Sequence, residues 1–372
     1  MQDEECSRLK ASGPRRDSLF SFCILHPSFC ILKILILKPS SLGDVVQAVP
    51  VLRLLKLHWP DSEIYWWINS RLAPLLEGDP DLTDVVRFNR RGWAAPGHWG
   101  ELWRSLRWSR NQSFDLVIDL QSLSRSGAFA WLADGKLLIG LDDSREGARG
   151  FYDLVVPRRS FYTHAVDWYL GVLTALSVPV HWNFAWLPER PAVAAEVRRK
   201  WRTDSARWIA LQPGARWMNK RWPAENYAGL VRHLGRACPD FKFAILGGET
   251  DRDLGAVIAR ADPQRCLDLT GRISLPEMVE WIRVSELMIS NDTGPMHVAA
   301  ALDRPVVAIF GPTEPRRTGP YRRLRGAVQA SLPCVPCMKP RCSYFKPLEC
   351  LHVISPDTIL ARAREALGMA AA

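Results

Sequence analysis

A short polar segment carries the residue types that a phosphate- and sugar-binding site needs. Asp292, Thr293 and Gly294 follow an apolar run, and Pro295 and His297 stand where a small-residue helix is expected to begin. Proline is favourable at the first position of a helix, and the free N–H groups there attract an anion. The neighbouring hydroxyl and carboxylate suit sugar hydroxyls. We therefore predict a site for a diphosphate-linked sugar, with a capped helix and a packed His297 as the structural alternative.

Strand and helix patterns alternate through both halves of the chain. The predicted strands lie at 31–38, 64–68, 84–88, 114–120 and 137–141, and then at 208–212, 241–246, 287–290 and 306–310. Such alternation predicts an α/β protein with two doubly wound Rossmann-like domains facing a central cleft. We place the domains at 31–182 and 192–372, with a linker at 183–191. Asp44, Gly214, Glu249 and Asp292 each stand just past a predicted strand, at the edge where such sheets bind ligands.

Composition points to an anionic partner. The chain has 372 residues, 47 % of them hydrophobic, which allows two domains with substantial cores. Its net charge is +10, as expected for a protein that binds nucleic acid, acidic lipid or a phosphorylated substrate. The basic residues are mostly scattered arginines without a nucleic-acid-binding motif, so we expect no nucleic acid partner. A GxGxxG or P-loop fingerprint is also missing from the sequence, which disfavours an NAD-dependent enzyme.

The beginning of the chain differs from the rest. We predict that residues 1–30 form an N-terminal extension that is disordered. The apolar stretch 18–37 resembles a signal peptide or membrane span, but Pro27 and Lys33 interrupt it and no small-residue cleavage site follows. We therefore expect a cytoplasmic protein that is peripheral at the inner membrane, where its basic surface can contact acidic lipid.

Several motifs occur in the order typical of glycosyltransferase family 9, and the chain resembles this family from about Leu32 to about Ile354. The family comprises the bacterial ADP-heptose:lipopolysaccharide heptosyltransferases. The motifs are Lys38-Pro39-Ser40-Ser41-Leu42-Gly43-Asp44-Val45-Val46, Gln212-Pro213-Gly214-Ala215, Lys220-Arg221-Trp222-Pro223, Asp292-Thr293-Gly294-Pro295-Met296-His297 and Gly311-Pro312-Thr313. The resemblance implies a GT-B fold, an ADP-heptose donor in the C-terminal domain, and an acceptor in the N-terminal domain. It also implies inversion at the anomeric carbon, without a cofactor or a required metal.

The resemblance implies catalytic and donor-binding roles for single residues. Asp44 matches the general base that removes the proton of the attacking hydroxyl, and its alternative role is helix capping. Lys220 matches the phosphate-binding lysine, next to the backbone N–H groups of Gly214 and Ala215; an ordinary surface lysine is the alternative. The other implied donor contacts are Glu249 for the nucleoside and Asp292, Thr293, Gly294 and His297 for the sugar and diphosphate.

The implied acceptor is the lipid A–inner core of lipopolysaccharide. The segment 119–126 resembles the family's Gln-Gly-Leu-x-Lys-Ser motif, which implies acceptor contacts at Gln121, Ser122 and Arg125. Arg125 would bind an acceptor phosphate with its planar guanidinium, and Ser122 stands where the family has glycine. Arg145 lies in a further segment that resembles the acceptor side.

Two patterns leave metal binding as an alternative. Cys334, Cys337, Cys342 and Cys350 form a C-x2-C-x4-C-x7-C pattern, a spacing that can hold zinc or an iron–sulfur cluster but lacks regular CxxC pairs. The segment 251–253 matches the Asp-x-Asp motif of metal-dependent glycosyltransferases, although acidic residues are common at the start of a helix. We expect no metal in the reaction. Whether the four cysteines bind a metal stays open.

These observations favour an inverting, metal-independent heptosyltransferase. A family member that uses another nucleotide sugar or another surface-glycan acceptor is the nearest alternative. A non-catalytic nucleotide-sugar-binding protein of the same fold is the alternative from a different class.

Overall fold

The computed structural model describes residues 31–89, 99–143 and 146–369. The predicted extension 1–30 and Arg145 lie outside the described residues. Within these ranges the chain forms two parallel six-stranded sheets, one in each half. Helices follow most of the strands, so the prediction of an α/β protein with two doubly wound sheets is confirmed.

The first sheet has its topological switch point between β1 and β4. Its strands are β1 (Lys33–Leu37), β2 (Glu63–Asn69), β3 (Asp84–Phe88), β4 (Leu116–Asp119), β5 (Leu137–Leu141) and β6 (Leu154–Val156). The spatial order is β3-β2-β1-β4-β5-β6, and all neighbours are parallel. Because ligands bind beyond the carboxyl ends of strands at a switch point, the loops after β1 and β4 are the expected binding loops.

The second sheet repeats this order. Its strands are β7 (Arg207–Gln212), β8 (Phe241–Ile245), β9 (Cys266–Asp268), β10 (Leu287–Asn291), β11 (Val306–Phe310) and β12 (Ala327–Gln329). They lie in the order β12-β11-β10-β7-β8-β9, again parallel. The switch point therefore falls between β7 and β10, the strands that precede Gly214 and Asp292.

Twelve α-helices cover the two sheets in the described ranges. They are α1 (Leu42–His58), α2 (Trp99–Gln112), α3 (Ser124–Leu132), α4 (Ala165–Ala175), α5 (Pro191–Trp201), α6 (Ala224–Ala237), α7 (Arg252–Ala259), α8 (Leu275–Val284), α9 (Gly294–Ala301), α10 (Pro315–Thr318), α11 (Glu349–His352) and α12 (Pro356–Ala366). Helix α1 runs through Pro50 without a break. None of the helices in the described ranges combines the length and apolar character that crossing a membrane requires.

The predicted linker 183–191 packs against both halves of the chain. Trp182, just before the linker, stacks on Trp186 at 5.7 Å between ring centroids, and both rings contact Tyr321 of the second half. Trp186 also accepts hydrogen bonds at its carbonyl oxygen from Arg53 of α1. The stretch is thus fixed by aromatic and polar contacts. The domain limits themselves stay predictions.

Arg53 forms the centre of a buried ionic cluster in the first half. Its guanidinium binds both carboxylate oxygens of Asp79, at 2.6 and 2.5 Å, and Asp81 at 2.6 Å. The side chains of Arg53 and Asp79 are 6 % and 0 % exposed. A buried charge is tolerated when it is paired and hydrogen-bonded, and this cluster joins α1 to the loop after β2.

We predict that Arg53→Ala lowers the free energy of unfolding by about 3–5 kcal/mol, because it leaves the buried Asp79 carboxylate without a partner. Urea unfolding followed by circular dichroism measures this loss. Arg199→Ala is the control, since Arg199 forms an exposed ion pair with Glu196, and it should leave the transition nearly unchanged. Equal losses of unfolding free energy in the two variants would show that the buried Arg53 cluster stabilises the protein no more than an exposed ion pair does.

Candidate active site

The first turns of α1 and α9 touch each other across the two halves of the chain. A side chain at Gly43 would place its Cβ 2.5 Å from Cδ2 of His297, and one at Gly294 would lie 2.8 Å from the Cβ of Leu42. These distances are shorter than real Cβ contacts, so glycine is required at both positions for the helices to approach. The approach brings the loop after β1 and the loop after β10 into one site.

Asp44 lies in the first turn of α1 and is half-buried. Its Oδ2 accepts hydrogen bonds from the backbone N–H and the hydroxyl of Ser41, at 2.8 and 2.6 Å. Burial alone would raise the pKa of Asp44, but the Lys38 ammonium and the Ser41 hydrogen bonds outweigh it, so the pKa lies below its usual range. Asp44 is therefore ionised. Ser41 occupies the N-cap position and Asp44 completes its capping box, so Asp44 helps to cap α1 without being the N-cap itself.

The second carboxylate oxygen of Asp44 has a weaker contact. Tyr169 of α4 donates its hydroxyl to Oδ1 at 3.4 Å, a long hydrogen bond. Lys38 donates to the carbonyl of Leu120 at 2.8 Å, and its ammonium lies 4.7 Å from the centroid of the Tyr169 ring. Lys38 was not predicted as a site residue from the sequence. Its position directly after β1 could have indicated that it belongs to the site.

Asp292 and Lys220 form an ion pair at the carboxyl edge of the second sheet. The Lys220 ammonium lies 2.5 Å from Oδ2 of Asp292, and the two side chains are 17 % and 5 % exposed. Thr313, which follows β11, donates its hydroxyl to the same oxygen at 2.5 Å. Lys220 is thus held in place by a carboxylate rather than free at the surface. Thr313 is a site residue that the sequence analysis quoted only within a motif.

Helix α9 begins at the same edge of the sheet. Thr293 is the N-cap residue and makes no capping hydrogen bond with its side chain. Asp292 is therefore not the cap of this helix. Pro295 lies in the first turn, as predicted. The Thr293 hydroxyl and the partial positive charge at the start of the helix suit a phosphate.

His297 is buried and neutral. Gln47 of α1 lies 3.2 Å from it, and since an amide nitrogen only donates, His297 Nδ1 accepts and its Nε2 carries the proton. Burial lowers the pKa of His297 to about 4, against the opposing influence of Asp292. This Gln47–His297 hydrogen bond joins the two halves inside the site, and no local pattern in the sequence indicated it.

The loop after β7 packs closely against Asp251. A Cβ at Gly214 would lie 2.3 Å from Oδ2 of Asp251, so the loop requires glycine there. Arg221 donates to the carbonyl of Ala215 at 2.8 Å and lies 3.5 Å from Asp251. Asp251 also accepts from the N–H of Gly248 at 3.1 Å. The first carboxylate of the Asp-x-Asp motif thus stabilises these loops.

Glu249 lies at the same sheet edge but faces solvent. Its side chain is 71 % exposed and forms an ion pair with Arg252 at 2.9 Å. Glu249 follows β8 on a short turn of 3-10 helix, Glu249–Asp251. Glu249 thus lies at the same sheet edge as the other residues predicted to contact the sugar donor. Its own contact with a nucleoside stays a prediction.

The predicted acceptor segment follows β4 and is organised by a buried carboxylate. Asp119 accepts hydrogen bonds from the N–H groups of Gln121 and Ser122, at 2.8 and 3.0 Å, and from the Tyr152 hydroxyl at 2.7 Å. The Ser122 hydroxyl is buried and bonded to backbone. Gln121 Oε1 is buried without a partner among the described residues, and Arg125 is exposed. Their acceptor roles stay predictions.

The four clustered cysteines are close enough to influence one another. Burial and the neighbouring thiols of Cys334, Cys342 and Cys337 raise the pKa of Cys350 to about 11. All four are free thiols. Across the described ranges, no group of three or more His, Cys, Asp or Glu side chains is arranged to hold a metal ion.

Comparison with known sequences gives a consistent family assignment. The model of glycosyltransferase family 9 (heptosyltransferase) matches residues 99–347. Lipopolysaccharide heptosyltransferase 1 of Pseudomonas aeruginosa is 29 % identical over 335 residues, which cover 84 % of this chain and 88 % of that protein. Lipooligosaccharide heptosyltransferase 2 of Haemophilus influenzae is 28 % identical over 310 residues, which cover 78 % and 86 %.

Solved structures share the fold. A glycosyl transferase family 9 protein from Veillonella parvula superposes with a TM-score of 0.76 at 23 % identity, over 90 % of this chain and 97 % of that one. The Escherichia coli ADP-heptose lipopolysaccharide heptosyltransferase II gives a TM-score of 0.72 at 22 % identity, over 90 % and 98 %. The two-sheet arrangement is therefore the one these proteins have.

We predict that His297 makes stability depend on pH. The unfolded chain titrates at the ordinary histidine pKa of 6.5, but the folded site accepts a proton only near pH 4. The stabilisation is thus present above about pH 6.5 and is lost as pH falls towards 4, by about 2 kcal/mol between pH 7 and pH 5.

Urea unfolding at these two pH values measures this loss. His297→Gln should reduce the difference between pH 7 and pH 5, whereas His58→Gln, at the exposed end of α1, should keep it. An unchanged pH dependence in His297→Gln would contradict a buried neutral histidine.

Proposed function

Because the chain belongs to glycosyltransferase family 9, the heptosyltransferase family, we propose that it transfers a heptose from ADP-heptose to the lipid A–inner core of lipopolysaccharide. Relatives aligned over most of the chain are named as lipopolysaccharide or lipooligosaccharide heptosyltransferases. The observation that carries the proposal is the site between α1 and α9. There an ionised carboxylate from the first half meets a lysine, a hydroxyl and a helix N-terminus from the second half.

The second half is proposed to bind the donor. The leaving diphosphate gains negative charge as the bond to the sugar breaks, and a cation together with free N–H groups stabilises it. Lys220 would supply that cation. Thr293 and the start of α9 would supply the donors, and Asp292 would orient Lys220. Since these groups provide positive charge themselves, we propose that the transfer requires no metal.

ADP is the proposed nucleotide. An Escherichia coli heptosyltransferase of this fold was solved with ADP, at a TM-score of 0.69, and another structure of it with ADP-2-deoxy-2-fluoro heptose. The nucleoside would lie past β7 and β8, where Gly214, Ala215 and Glu249 are. A family member that uses a different nucleotide would need different contacts at this end of the site.

The first half is proposed to supply the base and the acceptor site. The acceptor hydroxyl would attack the anomeric carbon from the side opposite the diphosphate, and its proton would pass to Asp44. The carbon–diphosphate bond breaks in the same displacement, so the configuration at that carbon inverts. Oδ1 of Asp44 suits this role, because the Ser41 hydrogen bonds occupy Oδ2.

We place the reaction at the inner face of the cytoplasmic membrane. The acceptor is anchored in lipid, and the net charge of +10 favours contact with acidic head groups. Residues 31–182 would face the acceptor, and residues 192–372 would hold the donor.

We predict that Asp44→Asn lowers the transfer rate by about 10²- to 10⁴-fold, because the amide accepts no proton from the attacking hydroxyl. Transfer from ADP-heptose to an inner-core acceptor is followed by mass spectrometry. Asp357→Asn is the matched control, since Asp357 also lies in the first turn of a helix, α12. A wild-type rate in Asp44→Asn would reject the base. Donor binding without transfer in the wild type would favour a non-catalytic protein.

We also predict selective stabilisation by ADP compounds. A ligand at one hundred times its dissociation constant adds about 2.7 kcal/mol to stability, which raises the melting midpoint by several degrees. ADP and ADP-heptose should produce this shift, and UDP, UDP-N-acetylglucosamine and NAD should not. Lys220→Ala should reduce the ADP shift, whereas Lys346→Ala, which removes an exposed ion pair with Glu349, should not. A shift with UDP compounds alone would reject the ADP assignment.

A further inference from the structure

A cavity of about 530 Å³ opens beside the site, between the two halves of the chain. Residues 159–167, which lead into α4, form one wall. Residues 316–324, which follow β11, form the other. The volume is within the range of pockets that hold small ligands. The acceptor residues that the sequence predicted, by contrast, all come from the first half.

Cations dominate the lining of this cavity. Arg159, Arg316 and Arg322 line it together with one carboxylate, that of Asp167. Arg316 is already paired with the Glu314 carboxylate at 3.0 Å. Asp167 accepts a hydrogen bond from the Tyr321 hydroxyl at 2.6 Å. Among the described residues, Arg159 has neither a hydrogen-bond partner nor an ion-pair partner. At Arg159 the cavity therefore carries positive charge that no carboxylate of the described residues pairs with.

Aromatic rings hold two of the arginines in place. The Arg316 guanidinium lies 3.8 Å from the ring centroid of Tyr162, and that of Arg322 lies 4.0 Å from the ring of Trp182. Stacking orients a guanidinium and leaves its edge N–H groups free to bind a carboxylate or phosphate. In Arg316 these groups bind Glu314, whereas Arg322 has no ion-pair partner among the described residues. Tyr162 and Tyr321 add flat surfaces and hydroxyls, which suit a sugar ring.

His164 connects the cavity to the reaction site. Its Nδ1 accepts from the N–H of Val166 at 3.2 Å, so its Nε2 carries a proton and donates to the carbonyl of Gly319 at 3.0 Å. This hydrogen bond joins the two walls. His164 is also the N-cap of α4, and Tyr169 of the same helix donates its hydroxyl to Asp44. A ligand in the cavity therefore lies beside the residues that carry out the transfer.

We propose that this cavity binds an anionic group of the acceptor, a sugar carboxylate or sugar phosphate, between arginines of both halves. The proposal rests on the proposed transfer to a lipid-linked glycan and assigns that acceptor a second binding wall, in the donor half. Acceptor binding then requires both walls to be in place, because Arg159 comes from one and Arg316 and Arg322 come from the other.

Binding of small sugars to the ADP-saturated protein tests the cavity directly. Saturating ADP occupies the proposed diphosphate site, so an anionic sugar has to bind elsewhere. Isothermal titration calorimetry should detect binding of glucose 6-phosphate and methyl glucuronide but not of neutral methyl glucoside. The phosphate and the carboxylate probe distinguish the two sources of negative charge. Equal binding of the neutral and anionic sugars would overturn the proposal.

Variants then locate the binding. Arg159→Gln and Arg322→Gln should each raise the dissociation constant of the anionic sugars about tenfold. Arg325→Gln is the matched control, because Arg325 is an exposed arginine of the same segment that does not line the cavity. In transfer assays the same two variants should raise the KM for the acceptor with little change in the KM for ADP-heptose. Unchanged sugar affinity in both cavity variants would overturn the proposal.

Two outcomes separate this proposal from its rivals. If the wild type binds anionic sugars through these arginines but transfers no heptose, the cavity assignment stands and the proposed reaction fails. If the arginine variants instead lose binding to phosphatidylglycerol vesicles without acceptor and keep their affinity for the sugars, the cavity arginines serve the lipid surface and the proposal is wrong.

Discussion

The close approach of two helix starts is the contact on which the rest of the site depends. Gly43 and Gly294 are the residues at which α1 and α9 meet, and neither position has room for a side chain. Glycine inside a helix costs about 0.5–1 kcal/mol relative to alanine, so its presence at Gly43 is unfavourable for the isolated helix. The contact accounts for glycine at this position, because it brings the Asp44 carboxylate of the first half to the start of α9 in the second half.

The charged groups of the site differ in role because their electrostatic surroundings differ. Lys38 keeps Asp44 ionised in the first half, while Asp292 holds Lys220 in the second half. Between them His297 stays neutral, because it is buried and its Nδ1 is bonded to Gln47. In the proposed reaction, Asp44 would act as the base and Lys220 as the cation, each held by its own partners.

The sequence predicted most of the fold and the members of the site, but not their contacts. Long buried strands such as β1 and β10 stood out as apolar runs, whereas the edge strands β6, β9 and β12 have three residues each and leave no periodic pattern. Asp44 was found because it follows a predicted strand, and Lys220 because its motif resembles that of the family's phosphate-binding lysine. The Gln47–His297 bond and the arginine cavity were not, since residues far apart in the chain form them.

Replacing Gly43 by alanine tests most directly whether catalysis depends on this contact between the halves. Alanine favours the helix itself, but its Cβ would collide with His297. Gly150→Ala is the control, because a Cβ there meets no atom within 4 Å. The measured quantity is the initial rate of heptose transfer, with folding checked by circular dichroism. We predict a rate at least about tenfold lower in Gly43→Ala and unchanged in Gly150→Ala. A folded Gly43→Ala protein that transfers at the wild-type rate would contradict this prediction.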